Sequence, residues 1–217
     1  MNPYDYVKPG DVVIDIGANV GDTVRHYAER VGPTGFVLAV EPHPVSAETL
    51  RARFADRPWV QVREAAVGTA QGYQMLYDDA QDSRRASLWE SNVLKPSEQA
   101  YPVPMATLDE LAAACPRVPA LIKMDAQGAE AEILASGPET LREQPIVFLE
   151  LWREGLSNAG ATVADVLGPL EYSGYTPHLA GVGPSTWPAV AATAARTSGH
   201  GAIDVLCLPP GVPYGPS

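Results

Sequence analysis

The run Val12-Val13-Ile14-Asp15-Ile16-Gly17-Ala18-Asn19-Val20-Gly21-Asp22-Thr23 decides the fold. A β-branched strand, broken only by Asp15, feeds a glycine turn, and Asp22 to Arg30 continue at helical spacing. The succession then repeats. Phe36 to Val40 is a second apolar run, ending in Glu41-Pro42. Pro44 to Ala55 reads as a helix with proline at its start, where the missing N–H costs nothing. Val60 to Val67 is a third strand. A β-α-β-α-β order is that of a parallel sheet covered by helices on both faces.

Further along, the rhythm changes. Tyr73 to Tyr77 and Tyr101 to Met105 read as short strands around a polar loop from Asp78 to Gln99. Thr107 caps a helix from Leu108 to Ala114, with Glu110 as its capping-box partner. Leu121 to Met124 is a strand ending at Asp125, and Ala129 to Ala135 a helix stopped by Gly137-Pro138. Ile146 to Leu151 is a buried strand, Val163 to Leu170 a helix, and Tyr175 to Leu179 and Ile203 to Leu208 a terminal pair of strands. Between that pair lies an insertion, Gly181 to Gly201, with a short helix at Ala189 to Ala195. The tail from Pro209 reads as loose.

A glycine turn between a first strand and its helix sits where ligands of parallel sheets bind. Gly17 and Gly21 allow a ligand close to the backbone, and the helix opening at Asp22-Thr23 presents free N–H groups. Dinucleotide binding calls for GxGxxG, and Asn19 stands where the middle glycine would be. Asp15, just before the turn, repels a phosphate and attracts an amine. Glu41, ending the second strand, is placed to accept hydrogen bonds from both hydroxyls of a ribose. An adenosine carrying an amino acid satisfies both acids, which points to S-adenosylmethionine and away from a nicotinamide dehydrogenase.

Several stretches carry a resemblance: VVIDIGANVGDT (12–23), AVEPHP (39–44), REAAVG (63–68), ATLDEL (106–111), LIKMDAQGAEAEILASG (121–137) and IVFLEL (146–151). In this order they resemble the FkbM-type methyltransferases, over about residues 11–152. The resemblance implies an α/β, Rossmann-like class I methyltransferase fold: a mostly parallel sheet with helices on both faces and a C-terminal antiparallel strand. It also implies methyl donation from S-adenosylmethionine to a hydroxyl of a sugar or secondary metabolite. The expected organisation is a single domain over 1–217, with a cofactor half at 11–152. Acceptor-specificity elements are then expected at 78–100 and 152–201.

Methyl transfer needs nucleophile, methyl and sulfur in line, and a hydroxyl acceptor benefits from a base. Asp125, at a strand's carboxyl end, is the first candidate for the chemistry and for contact with the cofactor. Lys123 shares its strand face, and a lysine in an apolar strand calls for a pair with Asp125 or Glu150. Asp125 and Glu150 could hold Mg²⁺, but two carboxylates do not make a site, and the sequence does not favour a metal. His200, glycine-flanked in the insertion, suits a mobile general base. Glu130 caps or pairs locally. His43, next to Glu41-Pro42, belongs near adenosine, with Pro42 at the same contact. Glu64, Ala65 and Ala66 are expected around adenine, and Ser87 within reach of the cofactor. Trp89, Trp152 and Trp187 are expected around the acceptor.

The chain has 217 residues, 46% of them hydrophobic, which is ample for a core and excludes disorder throughout. A formal net charge of −11 repels phosphate backbones, so the expected partner is a small-molecule acceptor and not a nucleic acid. No signal-peptide pattern or membrane-span run is visible, which implies a soluble cytoplasmic protein. Cys115 and Cys207 form no metal or disulfide motif. A homodimer is compatible with these features. An O-methyltransferase is the leading reading; an N-methyltransferase of a small molecule and a catalytically silent S-adenosylmethionine-binding module are its rivals.

Overall fold

The computed structural model describes residues 2–82 and 85–215. The tip of the expected 78–100 element, at 83–84, and the last two residues of the tail lie outside them. One eight-stranded sheet carries the fold. Its order is β10-β9-β11-β8-β7-β1-β2-β3, with β1 (Val12–Ile16), β2 (Phe36–Val40), β3 (Val60–Arg63), β7 (Leu121–Met124), β8 (Ile146–Leu151), β9 (Thr176–Leu179), β10 (Gly183–Pro184) and β11 (Ile203–Leu208). The five strands from β3 to β8 run parallel. β11 pairs antiparallel with both β8 and β9, as the terminal strand pair suggests.

β1 is central, so every one of its residues is buried, and this is why the opening run is apolar throughout. Alternation splits the core in two. Val13, Val37 and Leu121 pack under α1 (Asp22–Val31) and against Leu50 of α2 (Pro44–Arg53). Ile14, Leu38, Ile122 and Leu149 face the other way. They meet Leu108 of α3 (Leu108–Ala113), Ile133 of α4 (Glu130–Ala135), Leu167 of α7 (Val163–Tyr172) and Val190 of α8 (Trp187–Ala194).

Several expected elements are corrected. Val60 to Val67 is not one strand: β3 stops at Arg63, and β4 (Ala66–Val67) leaves the main sheet to pair with β6 (Pro96–Ala106). The hairpin is longer than its hydrophobic runs. β5 (Tyr73–Asp79) pairs with β6 as far as Asp79↔Pro96. Pro96, Pro102 and Pro104 fall at alternate positions of β6, so their missing N–H groups all lie on the side away from β5. Pro138 stops α4 but also opens α5 (Pro138–Arg142). The short α6 (Arg153–Asn158), with Leu156 buried, has too few turns to show a periodicity. The tail is not loose: Tyr214 stacks on His178 at 4.5 Å, and the Gly215 N–H donates to the Tyr6 hydroxyl.

Candidate active site

At the carboxyl ends of β1, β2 and β7 a cleft opens with about 730 Å³ of empty space. Its walls come from three places. The strand ends supply Ile16, Gly17, Asn19, Glu41, Pro42 and Asp125; the β3–β4 crossover supplies Ala65, Ala66 and Val67. Leu76 of β5 and the following Ala86, Ser87 and Leu88 roof it.

The turn after β1 is shaped by its neighbours. Gly17 has φ +74°, and a Cβ there would run into the Asp125 carbonyl, so only glycine lets β1 and β7 end side by side. Asn19 takes φ +48° and turns its N–H onto Glu41 Oε2 at 2.8 Å. The His43 N–H donates to Glu41 Oε1, also at 2.8 Å. Two backbone amides therefore aim a buried carboxylate along the cleft wall. Burial pushes this carboxyl up to about 7, and the His43 and Asn19 amides hold it from rising further.

Asp15 does not face the cleft. It is fully buried and accepts from the Thr23 hydroxyl, with Lys123 Nζ 3.2 Å away. The expected attraction of a ligand amine to Asp15 is thereby replaced by an internal ion pair. Lys123 is equally committed: its ammonium donates to the Gly17 carbonyl at 3.0 Å and stands 3.7 Å from Asp125. Burial alone would lower its pKa, but the Asp15 and Asp125 charges raise it, so it stays an ammonium and cannot serve as a base. The expected Lys123 partner Asp125 is present; Glu150 acts on it only through space, because register places Phe148 beside Lys123.

Other expected contacts separate into two groups. Gly17, Asn19, Glu41, Pro42, Ala65, Ala66, Ser87 and Asp125 come together in the cleft. Gly21, Asp22, Thr23 and Glu64 do not line it. Gly21 makes room for Phe54 and Leu50 between helices, Asp22 pairs with Arg53 at 2.9 Å, and Glu64 turns outward to Arg51 at 2.8 Å. Alternation and helix packing, invisible in the motif, send these side chains elsewhere.

The β7–β8 end holds the ionisable groups. Asp125 lines the cleft with its side chain 38% exposed. Gln127, at φ +52° in the turn after β7, donates its amide to Asp125 Oδ1 at 2.9 Å and lies 3.4 Å from Glu150 Oε2. Burial pushes Glu150 up to about 8, helped by the charges of Asp125, Asp204 and Glu130. Glu130 accepts from the Ala126 N–H at 2.9 Å, the local cap the sequence suggests, and burial pushes it up to about 7. Gln127 was missed by sequence reasoning, although it fills a free position of Asp125-x-x-Gly128. Asn92 was missed too: it is buried and donates to the Gln127 carbonyl at 2.9 Å, and Ser87 reaches the same oxygen at 3.2 Å. Among the described residues no group of three or more His, Cys, Asp or Glu is placed to hold a metal, and the Gln127 amide bridges Asp125 and Glu150.

His200 is not free. It is exposed but stacks on Trp152 at 4.7 Å, while the Trp152 indole N–H donates to the Gly199 carbonyl at 2.7 Å. Trp152, Trp89 and Trp187 all lie outside the cleft lining; Trp187 lines a separate groove between α7 and α8.

A mostly parallel sheet with an antiparallel C-terminal strand and a cleft at its strand ends is the Rossmann-like architecture of class I methyltransferases. The model of the FkbM methyltransferase domain matches residues 15–176, and the chain belongs to that family. The FkbM methyltransferase of Methylobacillus flagellatus superposes with a TM-score of 0.54 at 15% identity, over 95% of this chain and 48% of that one. The Aeropyrum pernix fibrillarin, solved with S-adenosyl-L-methionine bound, gives 0.50 at 11% identity over 94% of this chain and 68% of that one. A 36-residue stretch is 56% identical to the rRNA 2'-O-methyltransferase fibrillarin of Neurospora crassa, covering 17% of this chain and 11% of that protein. The chain thus spans about half the M. flagellatus structure, and the likeness at these identities is one of fold. Among the described residues no helix is long and apolar enough to cross a membrane.

Proposed function

We propose that this chain transfers the methyl group of S-adenosylmethionine to a hydroxyl oxygen of a small natural product or sugar. The cleft fits the cofactor. The Glu41 oxygens each accept one backbone amide and retain lone pairs for two ribose hydroxyls. Small Ala65 and Ala66 leave room for a flat base, and Gly17 leaves its backbone open. S-adenosylmethionine, when bound, supplies an electrophilic methyl carbon.

The residues of the chain supply position and proton transfer. Lys123 holds the Gly17 carbonyl and Asp125 together, fixing the reacting end to the nucleoside end. Asp125, in the cleft lining, orients the acceptor and takes its proton, held by the Gln127 amide that also reaches Glu150. That last observation carries the reading. A hydroxyl acceptor gains from a carboxylate placed to take its proton, and Asp125 stands in the cleft lining, joined to Glu150 through the Gln127 amide. The net charge of −11 supports a small acceptor over the RNA that the name of the fibrillarin relative implies for that protein.

The test is methyl transfer from isotopically labelled S-adenosylmethionine to a panel of hydroxylated small molecules, matched amines and rRNA. Label on a hydroxyl oxygen is expected. Label on amines alone or on rRNA alone would overturn the proposal, and no label on any acceptor would indicate a silent binding module.

A further inference from the structure

The roof of the cleft belongs to a hairpin outside the main sheet. In β5, Leu76 is buried while Tyr73 and Met75 are exposed, and the register with β6 is interrupted between Tyr77 and Asp79, where Asp78 lies. At this interruption Asp78 points inward, where it meets His43 at the start of α2. The His43 Nε2 to Asp78 Oδ2 distance is 3.4 Å, with the two side chains 4% and 14% exposed. The Tyr101 ring of β6 packs edge-on against the same imidazole at 4.9 Å. The His43 main chain, meanwhile, donates to Glu41. One residue thus touches the ribose-facing acid through its backbone and the roof through its side chain.

This contact is incomplete. Both His43 ring nitrogens and Asp78 Oδ1 are buried without a hydrogen bond, and 3.4 Å is longer than a well-formed N–H···O bond. Buried polar groups left unpaired are costly, so a small descent of the hairpin that shortens the contact is favoured. Such a descent also moves the cleft wall, because Tyr77 and Ser87 exchange both backbone hydrogen bonds and Ser87 lines the cleft. We propose that His43 and Asp78 form a latch that holds the β5–β6 hairpin down over the bound nucleoside. Both are positioning residues, acting through Glu41 and the roof. The latch rests on the reading of this cleft as the S-adenosylmethionine site.

The experiment measures S-adenosylhomocysteine affinity and dissociation rate for the wild type, His43→Leu, His43→Gln and Asp78→Asn. Hydrogen exchange of the hairpin is followed with and without the nucleoside. His43→Leu should bind about tenfold more weakly, through faster dissociation, the scale of one lost polar contact to a charged group. His43→Gln, which keeps a donor, should stay within about threefold of the wild type. Binding should slow exchange at the hairpin in the wild type and not in His43→Leu. A lowered melting temperature with an unchanged dissociation rate would mean a structural role only and would overturn the latch. Should His43→Leu fail to fold, an unchanged dissociation rate in Asp78→Asn overturns it equally. A wild type that binds no S-adenosylhomocysteine overturns the cofactor reading instead.

Discussion

The β1–β2 end of the cleft and the β7–β8 end treat their carboxylates in opposite ways. At the first, Asp15 is neutralised by Lys123 and Thr23, and Glu41 is aimed by two backbone amides. At the second, Asp125 and Glu150 share the single Gln127 amide, with Asp204 and Glu130 adding like charge. On the proposed function, the difference follows from what each end does. A ribose needs fixed lone pairs, which backbone donors orient without adding any side chain to the site. A proton acceptor needs a pKa near the working pH, which burial, helped by neighbouring like charges, provides.

Four variants and two pH profiles of the wild type would break or sharpen this contrast. The largest effect should come from Gly17→Ala, which puts a Cβ into the Asp125 carbonyl at a left-handed φ and pulls the two ends apart. A loss of more than about 4 kcal/mol of folding stability is expected, read as thermal unfolding, and a stable variant would mean that the ends are not interlocked. Asp125→Asn should next lower turnover about 10²–10⁴-fold with cofactor affinity nearly intact. Turnover and affinity falling together would show that the two ends do not divide the work.

Glu41→Gln should weaken S-adenosylhomocysteine binding by about 1.5–3 kcal/mol. The wild type adds a pH test of the same residue. Its carboxyl is raised from 4.5 to about 7, and on the proposed function the ionised form accepts from the ribose. Affinity should therefore fall about tenfold from pH 8 to pH 6, with proton release on binding. Folding carries the opposite sign. Glu41, Glu130 and Glu150 are all raised, so their contribution to stability is fully present below about 4.5 and is lost as the pH rises through about 7 to 8. Melting of the free protein should accordingly rise as the pH is lowered from 8 towards 5.5, apart from general acid effects. A flat profile would remove these carboxyls as the stressed groups. The smallest effect belongs to His200→Ala, which removes a stack on Trp152 outside the cleft. A fall in turnover of less than about tenfold is expected, and a loss above 10² would restore His200 as a base.

Much of the cofactor end was legible in the chain. An apolar run that must be buried on both faces, a turn needing glycine, and an acid after the next strand are local features with local causes, and Gly17, Asn19 and Glu41 meet in the cleft as their spacing suggests. Asp125 was legible for the same reason. Glu64, Asp22 and Gly21 lie off the cleft lining, because a motif names residues without saying which side of the backbone each occupies.

The sequence by itself determined the parallel sheet and the carboxylates at the strand ends, because strand period and glycine turns act over a few residues. Tertiary structure alone decided which charges cancel. Lys123 meets Asp15 across a gap of more than a hundred residues, since parallel register sets them side by side. Gln127 reaches Glu150, and His43 meets Asp78 beneath a hairpin whose length depends on pairing that its prolines hide. Pairings of that kind depend on register and on layer packing, and no stretch of neighbouring residues contains either.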